Sequence, residues 1–429
     1  MNNFKFDIDR YAELLRAVAS LSRLYSDNEK AYIDSRFVEK LFVYTSGAKD
    51  LSRKDNSFDA MLGKAGVGVK TFGISNVNSK KSEKIAEFTT LASQGFFNGL
   101  TQEELACKAS EIRNARVKTD AAEYDIEIDS SFYHCLLRTN EGAIIHEEPY
   151  SYIDTDKLKP VDPNTFQEVS KFPSGIGFPC FSDDKNIYTY NTSKNVLFKR
   201  FDISAGLNSS LIPLVIHEGV FDKLLGWFKG LNKVNLEYSV QQTLSLYEEV
   251  KPLNAGTDYV VLPLYSLRDS KRQSKVVGEN VKVVAEKSGI NQWNAAGRER
   301  KFGEAYIPIP IDIHHNYPNF FPSKDHSFNL KLPNGKAVSA KVCQENRKAL
   351  MSNPNHLICE WLFKSIDSKF SEAEFKNRFN NKRFYTYTDL EIAGKDSVKI
   401  VKIDAYNYSI EFMPIGSFEL FMSGDNDVI

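Results

Sequence analysis

The stretch DNSFDAMLGKAGVGVKTF, residues 55–72, constrains the fold of this chain more than any other. A short apolar run at residues 58–62 is followed by a glycine-rich turn and then by an alternating segment at residues 67–72. Alternation with a period of two is typical of a strand, and glycines between two such runs mark a turn. The stretch therefore predicts two adjacent strands, with Asp59 on the first and Lys70 on the second.

Two amphipathic helices are predicted before this hairpin. Apolar residues recur every three or four positions over residues 9–25, and again over residues 35–44. Asp34 or Ser35 can cap the second helix at its start. The second helix also carries Glu39, which would lie at the edge of its apolar stripe.

A third helix is predicted after the hairpin, over roughly residues 82–92. Glu83 and Glu87 are four residues apart, so they would share one face of it. Hard cations such as Mg²⁺ take carboxylate oxygens, and a bound metal can activate water against a phosphodiester. Two interpretations of Asp59 and Lys70 stay open, namely solvated charges on a plain hairpin or half of a metal-dependent active site.

Five short blocks of this region resemble, in the same order, the catalytic core of type II restriction endonucleases of the PD-(D/E)XK class. They lie within residues 18–88 and read LSRLYSDN, FVEKLF, LSRKDNSFDA, GVGVKTF and EKIAEF. The resemblance implies that Asp59 is the metal-binding acid and Lys70 the motif lysine. It also implies that Glu39 is the acid of the preceding helix.

One position departs from the pattern of that class. The motif has Glu or Asp two residues before its lysine, and here that position is Gly68. Some members of the class carry this acid on a following helix instead. We expect Glu87 to replace it, because apolar residues flank Glu87, and Glu83 is the second choice. The resemblance therefore implies catalysis by Asp59, Lys70, Glu87 and Glu39, with Mg²⁺ as the cofactor held by Asp59 and Glu87.

The nuclease-like region is expected to form one domain over residues 1–255. Its core would cover about residues 10–120, followed by a strand-rich extension at residues 121–215 and a helical part at residues 216–255. The alternating YDIEID, residues 124–129, is expected to be the first strand of the extension. Apolar residues in the helical part are typical either of buried packing or of a homodimer face, and both alternatives stay open. These residues are Leu224, Leu225, Trp227 and Phe228.

The rest of the chain, residues 256–429, is predicted to form a mixed β-barrel with one or two helices. Asn334 and Gly335 predict the turn of a hairpin within it, and NHLICEWLFKSI, residues 355–366, is predicted to be a helix. A polar segment at about residues 268–286 is a candidate linker. The blocks KSGINQWN, GRERKFGEAYIPIP, NFFP, ENRKALMSNPN and CEWL resemble the B3-like DNA-binding domain attached to several restriction endonucleases. In that fold two arms grip the major groove of DNA.

Polar residues in two loops of this region would supply the DNA contacts. Asn and Gln can pair with adenine and Arg with guanine, whereas Lys and Ser suit phosphates. The DNA-binding residues expected in the first arm are Asn291, Gln292, Asn294, Arg298 and Arg300. Those expected in the second arm are Gln344, Asn346, Arg347, Lys348, Ser352 and Asn353. His314 and His315 are expected in a loop, because no carboxylate accompanies them at a metal-ligand spacing.

Bulk composition limits the alternatives. The chain has 429 residues, 26% of them charged, and a net charge of −1, so DNA binding must depend on local basic patches. No apolar run approaches the roughly 20 residues that a membrane span needs. The five cysteines have no Cys-x-x-Cys spacing, which fits a reducing cytoplasm.

The expected fold class is α+β or α/β, with a PD-(D/E)XK nuclease domain, a mixed sheet flanked by helices, joined to a B3-like β-pseudobarrel. The expected function is a cytoplasmic, bacterial, Mg²⁺-dependent restriction endonuclease that cuts double-stranded DNA to 5′-phosphate ends. A cognate DNA methyltransferase would act on the same site, and a homodimer is one expected assembly. Two alternatives remain: an inactive DNA-binding regulator, because of Gly68, and a nuclease subunit that needs a separate ATPase, because the chain has no phosphate-loop motif.

Overall fold

The computed structural model describes two hydrophobic regions that are separate along the chain. Its described residues are 6–52, 56–75, 80–173, 177–203, 211–226, 259–269, 280–294, 303–367, 371–380 and 383–424. Apolar clusters of the N-terminal part draw on residues 11–212, and the main cluster of the C-terminal part draws on residues 260–421. The predicted boundary at residue 255 falls outside the described residues and stays a prediction.

The N-terminal part alternates helices and strands. Its elements are α1 (Ile8–Ser20), α2 (Ser35–Ser46), β1 (Lys49–Asp50), β2 (Ala60–Leu62), β3 (Ala65–Gly73), β4 (Lys80–Glu87), α3 (Thr89–Ser93), α4 (Gln102–Tyr124), β5 (Phe132–Arg138), β6 (Gly142–Pro149), β7 (Lys159–Pro160), β8 (Cys180–Ser182), β9 (Ile187–Asn191), β10 (Val196–Asp202) and β11 (Ile212–Pro213). The two helices and the hairpin predicted before residue 75 are confirmed. Asp34 caps α2 by accepting a hydrogen bond from the Arg36 amide, and Gly47 ends it with a positive φ of 68°.

Strand β3 lies at the centre of a six-stranded sheet in the order β1-β2-β3-β5-β6-β11. It pairs antiparallel with β2 and parallel with β5, with Gly68 opposite Tyr133 and Lys70 opposite Cys135. Parallel neighbours need a long crossover connection, and here β4, α3 and α4 provide it. Helices α1 and α2 cover one face of this sheet, where Val67, Val69 and Leu136 join their apolar cluster.

The prediction of a helix over residues 82–92 is wrong. Residues Lys80–Glu87 form strand β4, which pairs antiparallel with β10 at the edge of a five-stranded sheet, β4-β10-β9-β8-β7. Only Thr89–Ser93 is helical. Polar and charged residues dominate this strand, so its intrinsic preference is weak, and pairing with β10 decides its conformation. The strand expected at residues 124–129 is also wrong, because Tyr124 ends α4 and a 3-10 turn follows at Ile128–Ser130.

Sequence patterning did not predict α4, the longest helix among the described residues. Thr101 and Glu104 form a capping box at its start. Its buried residues include charged side chains, among them Arg113, Asp120 and Glu123. A helix that buries charge on several faces has no apolar stripe with a helical period, which explains why the pattern failed to show it.

The C-terminal part is a seven-stranded sheet with helices around it. Its elements are β12 (Tyr259–Pro263), β13 (Ser266–Asp269), β14 (Asn280–Val283), β15 (Ile307–Pro308), α5 (Ile311–Asn316), β16 (Ser327–Lys331), β17 (Ala337–Cys343), β18 (Ala349–Ser352), α6 (Leu357–Ile366), α7 (Glu372–Asn380), α8 (Tyr387–Ala393), β19 (Lys395–Lys402), β20 (Asn407–Pro414) and α9 (Ser417–Ser423). The sheet order is β12-β19-β20-β16-β17-β18-β15, and β15 returns to β12. The sheet is therefore a nearly closed barrel, as predicted.

Several local predictions in the C-terminal part are confirmed, and two are corrected. The hairpin turned at Asn334 and Gly335 joins β16 to β17, and α6 lies where a helix was expected. The candidate linker is partly a hairpin, since β13 pairs with β14, while residues 270–279 lie outside the described part. The loop expected at His314 and His315 is the short helix α5.

The helical part predicted near the boundary is described only at its start. Residues 220–226 are helical, and Leu224 and Leu225 are exposed there. Trp227 and Phe228 lie outside the described residues. No helix in the described part of the chain combines the length and apolar character that a membrane span requires.

Helix α4 connects the two parts through buried polar contacts. The Glu123 carboxylate accepts a hydrogen bond from the Phe412 amide at 3.2 Å. Asp120 Oδ1 lies 3.5 Å from Lys395 Nζ, and both side chains are at least 96% buried. These contacts place α4 against the barrel of the C-terminal part.

Candidate active site and DNA-binding surface

Asp59 and Lys70 come together at the predicted hairpin, with Lys70 on β3 and Asp59 just before β2. Asp59 immediately precedes β2, and its Oδ2 accepts a hydrogen bond from the backbone amide of Val69 at 2.7 Å. Lys70 is the next residue along β3. The backbone of one strand thus holds the carboxylate of the other beside the lysine.

Burial and mutual charge make Asp59, Lys70 and Glu39 one electrostatic cluster. Burial raises the pKa of Asp59, while the positive charge of Lys70 opposes this shift. Burial also raises the pKa of Glu39 on α2, and the negative charge of Asp59 adds to it. Glu39 Oε2 is buried and has no hydrogen-bond partner among the described residues. The charge of Asp59 therefore disfavours ionisation of Glu39.

The two candidate replacement acids lie on opposite faces of β4. Glu83 is opposite Lys199 and Glu87 is opposite Val196 on β10, and a bulge lies between these pairs. Partners in antiparallel strands share a face, whereas Val196 and Lys199 are three residues apart and point to opposite sides. The prediction that Glu83 and Glu87 share a face is therefore wrong.

The environment of Glu83 differs from that of Glu87. The Glu83 side chain is 27% exposed, and burial raises its pKa while the charges of Lys81 and Lys70 lower it. The Glu87 side chain is 50% exposed and lies 3.0 Å from Lys84 Nζ, and hydrogen bonds from Lys84 and Thr89 lower its pKa. Glu83, and not Glu87, is thus in electrostatic contact with Lys70.

The space beside the Gly68 Cα atom is occupied by the ring of Tyr133. A Cβ atom at this position would lie 2.8 Å from the ring of Tyr133, closer than carbon atoms approach without displacement. The Tyr133 ring is itself stacked on Tyr150, with centroids 4.4 Å apart, and Arg113 lies 4.9 Å above the Tyr150 ring. The usual acid of the motif therefore has no room on β3.

A cleft of about 510 Å³ opens beside the hairpin. Asp59 and Lys70 line it from one side, Arg113 and Arg116 from α4, and Lys395 from the C-terminal part. Sequence analysis missed the two arginines, because the helix that carries them was missed. Their spacing of three residues places them on one face of α4 and is the signal that could have found them.

The structure does not describe most side chains of the first expected DNA-binding arm. Asn291 is the exception, and it is fully buried. Its amide donates to the Tyr385 carbonyl at 2.7 Å and accepts from the Tyr385 amide at 2.9 Å. Asn291 is therefore corrected to a structural residue. Gln292 and Asn294 end a 3-10 helix, and their side chains, like the residues Arg298 and Arg300, are not described.

The second expected arm is divided between exposed and structural residues. Asn346, Lys348 and Asn353 are exposed, and Gln344 is half-buried. Ser352 is corrected to a structural residue, because its buried hydroxyl accepts a hydrogen bond from the Ile358 amide at the start of α6. Nη2 of the Arg347 guanidinium likewise donates to two backbone carbonyls of the protein.

Residues 267–404 match a family model described as the NgoFVII C-terminal B3-like DNA-binding domain. The match covers both expected arms and most of the barrel. No curated protein matches the chain significantly. The C-terminal part is therefore similar to a restriction enzyme's DNA-binding domain, which supports DNA as a partner and a restriction-type DNA-binding protein.

Asn291→Ala is expected to destabilise the protein without changing DNA contacts. It would leave the buried amide and carbonyl of Tyr385 unsatisfied, at a cost of about 1–3 kcal/mol each. Urea unfolding should show the loss. Lys348→Ala is the matched control, with unchanged unfolding and weaker DNA binding. Normal stability of Asn291→Ala would contradict the structural assignment.

Gly68→Ala is expected to reduce the free energy of unfolding by about 1–3 kcal/mol, because its Cβ overpacks the Tyr133 ring. Gly177→Ala provides the control, since a Cβ there would meet nothing within 4 Å. Thermal unfolding of both variants checks the difference. A stable Gly68→Glu variant with increased nuclease activity would contradict the packing described for this position.

Proposed function

We propose that the chain is a Mg²⁺-dependent, sequence-specific endonuclease of the restriction type acting on double-stranded DNA. The observation that carries this proposal is the placement of Asp59 beside Lys70, with Glu39 adjacent, on a sheet in which β3 pairs antiparallel with β2 and parallel with β5. This arrangement supports a PD-(D/E)XK fold. The similarity of residues 267–404 to a restriction enzyme's DNA-binding domain supports DNA as the substrate.

The carboxylates beside Lys70 fit a hard cation. Asp59 and Glu39 are partly buried neighbours of like charge, and one Glu39 oxygen is buried without a hydrogen-bond partner among the described residues. Among those residues, no group of three or more His, Cys, Asp or Glu side chains is close enough to hold a metal. Mg²⁺ is commonly bound by one or two carboxylates together with substrate phosphate. We therefore assign Asp59 as a ligand, with Glu39 or Glu83 as the second.

Each side chain has a separate part in the proposed reaction. Bound Mg²⁺ would supply activation of water and neutralisation of charge at the scissile phosphate. Lys70 would bind a phosphate oxygen or orient the attacking water. Arg116 lines the same cleft and would attract the DNA backbone. Arg113 has a structural part, because its buried guanidinium donates to the Ser151 carbonyl and packs over the Tyr150 ring. Glu83 would hold Lys70 in place or complete the metal site.

Glu83 replaces Glu87 as the preferred second acid in this proposal. Burial of Glu83 and the influence of the Lys70 charge on its pKa favour it. Glu87 is engaged by Lys84 and Thr89 near the surface, although it lines the same cleft as Asp59. A cognate methyltransferase, a cytoplasmic location and a homodimer stay predictions that accompany this function.

Asp59→Ala and Lys70→Ala are each expected to lower the cleavage rate by roughly 10²-fold or more, because the first removes a metal ligand and the second a positive charge beside the reacting phosphate. DNA affinity without Mg²⁺ should remain, since the DNA-binding domain is separate. Unmethylated plasmid incubated with Mg²⁺ and no ATP, followed by sequencing of the ends, measures cleavage. Near-normal cutting by either variant would refute the assignment.

Three isosteric variants distinguish the roles of Glu39, Glu83 and Glu87 in cleavage. Glu83→Gln and Glu39→Gln should each reduce cleavage, whereas Glu87→Gln should cut nearly normally and serves as the matched control. The plasmid assay with varied Mg²⁺ measures all three. An inactive Glu87→Gln beside an active Glu83→Gln would return the role to Glu87.

The packing of Tyr133 against Gly68 favours a second candidate, a DNA-binding regulator without nuclease activity. The same plasmid experiment distinguishes the two functions. Selective binding by the wild-type chain with no cleavage at any Mg²⁺ concentration would favour the regulator. Cleavage that appears only with ATP and a further subunit would favour a nuclease component of a larger complex.

A further inference from the structure

The connection between β17 and β18 has an unusual backbone. Gln344 has φ 68° and ψ 175°, a region that non-glycine residues seldom occupy, and Asn346 and Arg347 both have φ 56°. Three non-glycine residues with positive φ within four positions require support from outside the loop. We call residues 344–348 the recognition loop.

Contacts from three other segments fix the recognition loop. The His314 ring on α5 donates a hydrogen bond from Nε2 to the Arg347 carbonyl at 3.0 Å. The Arg347 guanidinium donates to the carbonyls of Phe321 and Pro322 at 3.2 and 3.0 Å. The Ile309 amide donates to the Lys348 carbonyl at 2.9 Å. The strained backbone is thus held at its C-terminal end by hydrogen bonds on both sides.

The surroundings of His314 hold its ring in one position as a hydrogen-bond donor. A carbonyl oxygen only accepts, so the bond to Arg347 requires the proton on Nε2. The ring is partly buried against Phe321, with centroids 6.4 Å apart, and burial lowers the pKa of His314. The neutral ring therefore supplies the bond at physiological pH. The next residue, His315, is exposed.

The tip of the recognition loop presents groups that can read bases. Glu345, Asn346 and Lys348 are exposed there. An Asn amide can pair with adenine, and a Glu carboxylate can accept from the amino group of cytosine. Holding such groups in one conformation before binding reduces the entropy lost on association.

We propose that His314 and Arg347 are positioning residues that hold the recognition loop in the conformation that reads base edges of double-stranded DNA. The inference rests on the proposed function of the C-terminal part as a sequence-specific DNA-binding domain. It assigns Arg347 to the protein's own backbone rather than to DNA. It also adds Glu345 to the residues that face the bases.

The test uses the full chain. Selection from a random duplex library first identifies the preferred sequence of the wild type. Fluorescence anisotropy then gives the affinity ratio between the selected duplex and a shuffled one, and its salt dependence. We expect His314→Ala to lower this ratio by about tenfold or more, as loss of one base contact would. His314→Gln should restore it, because its Nε2 can donate, and His315→Ala should not change it.

Arg347→Gln separates positioning from phosphate binding. We expect it to reduce the affinity ratio while the salt dependence stays unchanged. A salt slope lower by about one unit, with equal losses for both duplexes, would show a phosphate contact and overturn the role of Arg347. Melting temperatures of all variants show whether each is folded under the binding conditions.

Other outcomes separate this inference from the proposed function. A wild type that discriminates, together with a folded His314→Ala that discriminates equally, overturns the positioning role alone. A wild type without sequence preference overturns the proposed recognition function and this inference with it. Failure of His314→Gln to restore discrimination also counts against the role, because the hydrogen bond would then not be the cause.

Discussion

The close contact between the glycines of β3 and two aromatic rings determines where the rest of the N-terminal part can lie. A Cβ at Gly66 would meet the Phe58 ring at 2.4 Å, and one at Gly68 would meet Tyr133 at 2.8 Å. These rings occupy the face of β3 that also carries Lys70. The lysine is therefore the first large side chain on that face, and it emerges at the end of an aromatic layer. Its positive charge opposes the rise in pKa of carboxyls from three elements, namely Asp59 before β2, Glu39 on α2 and Glu83 on β4.

The sequence was sufficient to predict a segment wherever residues within that segment decide its structure. The caps of α2, the turn at Gly63 and the hairpin at Asn334 and Gly335 depend on few residues close in sequence. They were therefore predictable, and with them the neighbourhood of Asp59 and Lys70. The adjacency of these two side chains follows from the hairpin alone.

Distant partners decide the parts that sequence analysis missed or misassigned. Strand β4 depends on pairing with β10, more than 100 residues later in the chain. Asn291 is structural because Tyr385 passes beside it, and no residue near Asn291 indicates this. Helix α4 buries charges whose partners lie in the other part of the protein. The same feature concealed Arg113 and Arg116, so the basic side of the cleft was absent from the prediction.

Helix α4 also limits how such a protein can change specificity during evolution. Exchanging DNA-binding domains between related proteins is simple only where the junction is a solvated linker. Here Asp120 and Glu123 are buried against Lys395 and the Phe412 amide. A foreign domain without a cation at the position of Lys395 would remove the positive charge beside the buried Asp120 carboxylate, which is destabilising. New specificities in this lineage should therefore arise by substitution within the loops of the resident barrel, or by transfer of α4 together with the domain it contacts.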